Sequence, residues 1–321
     1  MAGVITALGT TYNLPNYTGI LHQLTPSDTP FFSAIGGLTG GGQTNSTEFE
    51  WQEYDLRDAA QNVAVEGADP SDENRVRGNV TNVVQIHQEA VGVSYSKLAA
   101  VGLKAGTNNE AQNPVRSELD WQVEQMLKQM VRDVEFSFIN GEYDKPSDND
   151  DPRQTRGVLE AITTNVEAAG DEQLTQLLVL DLLQSVWENG GIRESETATI
   201  VVNAYQKRRL TAEFITEANY QEASRNVGGV NVQTIETDFG RLNVMLNRYM
   251  PTDEVLVVSL EQCRPVYLEI PGKGHFFAEP LARTGSKDRA QLYGEVGLEY
   301  GNEMAHGKIT GLATAPAVNG D

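Results

Sequence analysis

Cysteine is almost absent: Cys263 is the single thiol in the chain. An intrachain disulfide framework is therefore excluded, and the composition fits folding in a reducing compartment. Positive charge is also scarce, with 24 Lys and Arg against 45 Asp and Glu over 321 residues, a formal net charge of −21. Gripping nucleic acid by counterion release needs clustered cations, so that class of function is excluded. No apolar run approaches the ~20 residues a membrane helix requires. The start, Met1-Ala2-Gly3-Val4-Ile5-Thr6, lacks the basic-then-apolar order of a secretory signal. With nothing in the sequence to suggest secretion, the sequons at Asn16, Asn45 and Asn79 mean little. Aromatics make up 7% and all hydrophobics 39%, enough for a packed core in a chain long enough for about two domains.

Motifs of chemistry are missing as well. Gly272-Lys273-Gly274-His275 has neither the upstream glycine nor the following hydroxyl of a phosphate-cradling loop. Gly92-Val93-Ser94-Tyr95-Ser96 ends in serine where a nucleophile elbow needs glycine. His22, His87, His275 and His306 are scattered, with no i, i+4 pair to share a metal. His87 reads as a surface or interface residue of a strand, and His306 as a structural, hydrogen-bonded one. A calcium loop begun at Asp148 fails at Pro152 and Leu159, leaving Asp144, Asp148, Asp150 and Asp151 as a solvated acidic loop. Trp51, Trp121 and Trp187 fall in strand or helix patterns, where packing explains them. Cys263, beside a buried strand, reads as a packed thiol.

What is present is an unusual layout. Residues 1–46 are punctuated by Pro15, Pro26, Pro30 and five glycines from Gly36 to Gly42, the pattern of an extended arm. Its apolar pieces, Ile20-Leu21 and Phe31-Phe32, need a surface elsewhere on the chain or on a neighbour. Thr47–Asp55 and Val80–Tyr95 alternate as strands, with Val80, Val84, Ile86 and Ala90 on one face of the second and Val83, Val91, Val93 and Tyr95 on the other. The polar connection 56–79 between them is too long for an ordinary loop and points to a function or an ordering partner. Together they predict a protruding hairpin over 47–95.

From Pro114-Val115 to Asn140, Leu119, Val123, Met126, Met130 and Val134 recur at helical spacing, opposite Glu118, Glu124, Lys128, Arg132 and Glu135. A compact α/β pattern follows. Asp171 is the expected N-cap of a helix over 173–188, then come a buried strand 197–203 and a helix 204–214. A hairpin, 230–236 and 241–247, turns through Thr237-Asp238-Phe239-Gly240, and a further buried strand runs over 254–260. Gln291–Leu312 alternates over a long reach.

Several pieces, taken in order, carry a family resemblance. They are Leu24-Thr25-Pro26-Ser27-Asp28-Thr29-Pro30-Phe31, Glu50-Trp51-Gln52, Val65-Glu66-Gly67-Ala68-Asp69, Trp187-Glu188-Asn189-Gly190-Gly191 and Val202-Asn203-Ala204-Tyr205-Gln206-Lys207-Arg208. Thr237-Asp238-Phe239-Gly240 and the stretch from Leu281-Ala282-Arg283-Thr284-Gly285-Ser286 to Asn302-Glu303-Met304-Ala305-His306-Gly307 complete the set. The sequence resembles the major capsid proteins of tailed bacteriophages, in particular the SU10-like major head proteins.

The resemblance implies an α+β HK97-type capsid fold. Its parts would be an N-terminal arm (1–46), an E-loop hairpin (47–95), a peripheral domain with a long spine helix (96–170), an axial α/β domain (171–263), and a peripheral C-terminal strand (264–321). It implies a non-enzymatic subunit without cofactor or metal, self-assembling into pentamers and hexamers of an icosahedral shell around viral DNA, in the virion after assembly in the host cytoplasm. The partners it implies are further copies of the chain and separate scaffolding and portal proteins, with no membrane. Scaffolding is expected from another protein because the arm begins almost at Met1. Phe31, Phe32, Trp51, Glu66 and Asp69 are the expected subunit-interface residues. The loop 56–79 contains no lysine, which argues against the lysine–asparagine crosslink of some such shells. The rival readings are an encapsulin-type nanocompartment shell and an α/β enzyme with an unrecognised site in 171–263.

Overall fold

The computed structural model describes residues 26–57, 59–69, 71–99, 117–148, 150–193, 198–216 and 234–314. Expectations for Ile20-Leu21 and the rest of 1–25, for Pro114-Val115, and for 230–233 lie outside the described residues. Pro30, with its φ preset for a first helical turn, opens α1 (Pro30–Ala34), so this part of the expected extended arm is helical. The strands β1 (Gly42–Thr44), β2 (Glu48–Tyr54), β3 (Arg77–Val83) and β4 (Gln85–Ser94) follow, then the short α2 (Tyr95–Ala99). β2 and β3 form a two-stranded antiparallel sheet, in register from Glu48↔Val83 to Tyr54↔Arg77.

β4 does not continue that hairpin. The expected single strand 80–95 breaks at Val84, and β4 pairs in a different sheet, so the hairpin spans 48–83 rather than 47–95. The reason is burial: Val83 and Val84 are both fully buried, which a strictly alternating strand cannot provide. The one-residue interruption exchanges the faces, leaving Ile86 exposed and His87 buried.

The long helix α3 (Glu118–Asn140) spans about 34 Å at ~1.5 Å per residue. Met126, Met130, Val134 and Phe138 are buried as the spacing predicts. Only a narrow stripe, Asp120, Glu124, Gln129, Asp133 and Phe136, is exposed. Glu135 belongs to the buried side, against the expectation that it lies on the charged face. The helix ends at Gly141, where a Cβ would sit 2.3 Å from the Ser137 carbonyl oxygen and 2.4 Å from that of Thr155. Only glycine allows the returning segment so close.

The remaining elements are α4 (Val158–Ala161), β5 (Val166–Ala168), α5 (Gln176–Glu188), β6 (Ala198–Val202), α6 (Ala204–Thr216), β7 (Thr234–Thr237), β8 (Gly240–Leu246), β9 (Val255–Ser259), β10 (Arg264–Leu268), β11 (Phe276–Leu281), β12 (Lys287–Glu299) and β13 (Gly307–Thr310). α5 begins three residues later than expected. Asp171 sits at φ 64° in a turn, and Thr175 caps the helix, its Oγ1 accepting the Leu178 N–H.

A six-stranded sheet runs β5-β13-β9-β6-β8-β7, with every residue of β6 and β9 buried. Leu182, Leu183 and Val186 of α5 and Leu210 of α6 share its core with Ile200, Val257 and Ile309. This module therefore does not close within 171–263, because β5 and β13 come from either side of that range. The second sheet runs β1-β10-β12-β11, with β4 also on β12. The expected long strand 291–312 is two strands in two sheets, parted by Gly301 at φ 64° and a 3-10 turn, Glu303–Ala305. By internal contacts the chain divides into one unit of residues 1–27, 89–128 and 278–292 and another of 28–88, 129–277 and 293–321.

Candidate subunit interface

The loop joining β2 to β3 is the most unusual surface in the structure. Val63, Val65 and Val76 are more than four-fifths exposed, and Tyr54 and Leu56 about two-thirds. Apolar groups gathered on one exposed loop mark a site that a partner covers. Arg57 and Arg75 both pair with Glu73, at 3.7 and 2.9 Å, shaping the loop's base. Its tip turns at Gly67, φ 83°, where the Ala68 N–H donates to the Val65 carbonyl. Glu66 and Asp69, two of the expected interface residues, lie exposed beside that turn.

The hairpin's root is held firmly by its own chain. Trp51 donates from Nε1 to the Gly301 carbonyl at 2.9 Å, meets Tyr300 edge-on at 4.9 Å, and stacks on Phe49. It is only partly exposed, so its indole serves intrachain packing first. The buried Asn82 donates to the Leu298 carbonyl and accepts from the Arg156 N–H. The loop thus projects from a fixed base.

Phe31 and Phe32 require a correction. Both rings are completely buried in the chain's own core, and Phe32 meets Phe138 edge-on at 5.7 Å. No surface is left on either ring for a neighbour. Their backbone N–H groups, unsatisfied at the start of α1, donate to the two carboxylate oxygens of Glu135 at 2.9 and 2.6 Å, and Asn247 Nδ2 donates at 2.5 Å. Burial pushes the Glu135 carboxyl up, while these three donors pull it back down.

Of the scattered histidines, His22 lies outside the described residues, while His87 and His306 are structural. His87, expected at the surface, is buried with an unpartnered Nε2, and desolvation lowers its pKa to about 4. His306 accepts the Ser259 N–H on Nδ1 and faces the Tyr300 carbonyl with Nε2, so the proton resides on Nε2. Cys263 is buried and its thiol is pushed up by desolvation, as a packed thiol should be. Among the described residues no three His, Cys, Asp or Glu side chains gather to hold a metal, and no helix is long and apolar enough to cross a membrane. Sequence reasoning missed the exposure of Trp187, which sits half in solvent beside Phe239 at 6.4 Å. Helical spacing alone placed it as ordinary packing.

Solved structures that share this mixed α+β fold include a cyanophage capsid and an encapsulin complex. The cyanophage A-1(L) capsid aligns at a TM-score of 0.68 with 10% identity, covering 96% of this chain and 100% of that one. A structure of Mycobacterium phage Cain gives 0.61 at 12% identity, covering 98% and 100%. The holo-SrpI encapsulin complex of Synechococcus elongatus PCC 7942 gives 0.60 at 10%, covering 98% of each chain. The fold is the HK97-type capsid fold. The SU10 major capsid protein family matches residues 4–313, and the chain belongs to that family: it is a major capsid protein, a subunit of the viral shell. No curated protein matches the sequence.

Proposed function

We propose that this subunit builds pentamers and hexamers of an icosahedral head around DNA, with separate scaffolding and portal proteins, and that it performs no catalysis. Assembly in the host cytoplasm follows from the same reading. The observation that carries it is the loop between β2 and β3, whose exposed valines are costly to leave in water and gain a purpose only in a lattice. In this reading residues 48–83 are the E-loop, α3 is the spine helix of the peripheral domain, and the six-stranded sheet with α5 and α6 is the axial domain. The acidic balance lets a closed shell enclose DNA without adhering to it. Expression with and without a scaffolding protein, followed by gel filtration and negative-stain imaging, tests the reading. A subunit that stays monomeric under both conditions overturns it.

The encapsulin fold match favours one second reading, a cellular nanocompartment. Mass spectrometry of native particles separates the two, since packaged DNA supports a phage head and protein cargo a compartment.

A further inference from the structure

Helix α5 is apolar on two sides, and the fold uses only one of them. Val179, Leu182, Leu183 and Val186 face the six-stranded sheet and are buried in its core. Leu177, Leu180, Gln184 and Trp187 follow on the opposite side at steps of three, four and three. At ~1.5 Å per residue this stripe runs about 15 Å. Leu177 is 67% and Trp187 57% exposed, with Leu180 half-buried between them. At the end of the stripe the indole stands against Phe239 of the β7–β8 turn, so two elements build one aromatic platform. A helix apolar on both sides is ordinarily covered on both. The platform is also rigid. The fully buried Asn165 accepts from Ser185 Oγ and Asn189 Nδ2 at 3.1 and 2.7 Å, and donates to the Met304 and His306 carbonyls, both at 2.8 Å. A surface fixed in advance loses little entropy when a partner settles on it.

The rim of the platform selects the partner. Asp181 and Glu188 flank the stripe on α5, and Asp238 precedes Phe239. None of the three has an ion pair among the described residues; Glu188 accepts from Gln184 Nε2 at 2.7 Å. Glu236 is offset by Arg241, opposite it in the register of β7 and β8, and Arg193 donates to the Gly190 carbonyl at 3.2 Å. An apolar surface edged by unpaired carboxylates suits a partner that is apolar at its centre and positive at its edges. A second copy of this chain brings a further net charge of −21, and the shell reading already gives self-contact to the β2–β3 loop. The chain's own segments 217–233 and 315–321 offer one cation, Arg225, against Glu217, Glu222 and Asp321. We propose that the α5–Phe239 platform docks a basic amphipathic helix of a different protein. Its apolar side would lie on Leu177 and Trp187, and its lysines or arginines would meet Asp181, Glu188 and Asp238. This goes beyond the shell reading and does not depend on which surfaces join the subunits. It gives the acidic subunit an attachment point where charge draws the partner in and an aromatic anchor holds it.

Hydroxyl-radical footprinting read by peptide mass spectrometry tests this, with a synthetic leucine–lysine amphipathic helix of about five turns as the probe. Trp187 should oxidise readily in the free subunit and in particles made from this chain alone, and should be protected once the peptide is added. Fluorescence anisotropy on the free subunit should give a Kd of about 1–10 μM for the peptide. L177S/W187S and D181K/E188K should each weaken it at least about tenfold, while circular dichroism and melting stay those of wild type. Absence of peptide binding overturns the proposal. So does equal binding by wild type and L177S/W187S, or by a scrambled peptide of the same composition, since charge attraction alone would then suffice. Slow oxidation of Trp187 already in the free subunit assigns the platform to the chain's own segments, and slow oxidation only in particles assigns it to a second copy; either result overturns it. A chain that never assembles strikes the shell reading instead, because the binding arm needs only the free subunit.

Discussion

At the scale of single residues, buried polar groups decide more than buried apolar ones. Glu135 satisfies both N–H groups that open α1 and the Asn247 amide, tying three elements at one carboxylate. Glu135→Leu keeps the volume but strands three buried donors, so it should cost about 3–5 kcal/mol, measurable by urea unfolding. Glu135→Gln should cost less, because one amide oxygen still accepts. Met130→Asp, in contrast, places an unpaired charge at a position 1% exposed and should leave no soluble subunit on expression. Soluble, assembling Met130→Asp would mean the helix face is wrongly assigned. His87 gives a pH signature. Its folded pKa, about 4, lies below the ordinary 6.5, so the native state holds it neutral. Stability should be full above pH 6.5 and fall as pH drops from there toward 4, by at most about 3 kcal/mol. Thermal melts of wild type and His87→Gln across that window check this: the variant should lose the slope.

At the scale of elements, what the sequence made legible were the pieces whose period is uninterrupted. The 3-to-4 spacing of Met126, Met130 and Val134 placed α3, and the all-apolar runs placed β6 and β9 to within a residue or two. What failed were places where one residue changes the pairing partner. The Val83-Val84 break and the Gly301 bend each redirect a strand into another sheet, and neither alters local alternation enough to be seen. Asp171 and Thr175 are both good caps by type, and the positive φ at Asp171 comes from the Gly170 turn. Of the residues expected at the interface, Glu66 and Asp69 are exposed on the β2–β3 loop, whereas the backbone of Phe31 and Phe32 is claimed by a carboxylate more than 100 residues away. Short-range pattern cannot reveal that tie. The hairpin itself should divide in amide exchange of the free subunit. The root around Trp51 and Asn82 should exchange slowly and residues 56–76 quickly, with protection of 56–76 gained only in particles. Slow exchange of 56–76 already in the free subunit would remove the need for a neighbour.

At the scale of the whole molecule, stability and assembly draw on separate groups, which makes them separable by experiment. Among the described residues, the core clusters around Tyr267 and around Leu182 take no side chain from 55–76. That loop contributes exposed valines and solvent-facing acids instead, surface that costs free energy in the isolated subunit and returns it on burial. Replacing 56–76 with a two-residue turn therefore removes little from the fold. β2 and β3 keep their register from Glu48↔Val83 to Tyr54↔Arg77, and a tight turn even lowers the loop-closure cost. The shortened subunit should unfold within about 1 kcal/mol of wild type, since no buried contact is lost. Its particles should be absent, or should dissociate at subunit concentrations at which wild-type particles persist, as followed by analytical ultracentrifugation. Stable particles from the shortened chain would assign the lattice contacts to other surfaces, with the exposed Trp187–Phe239 pair the first to examine.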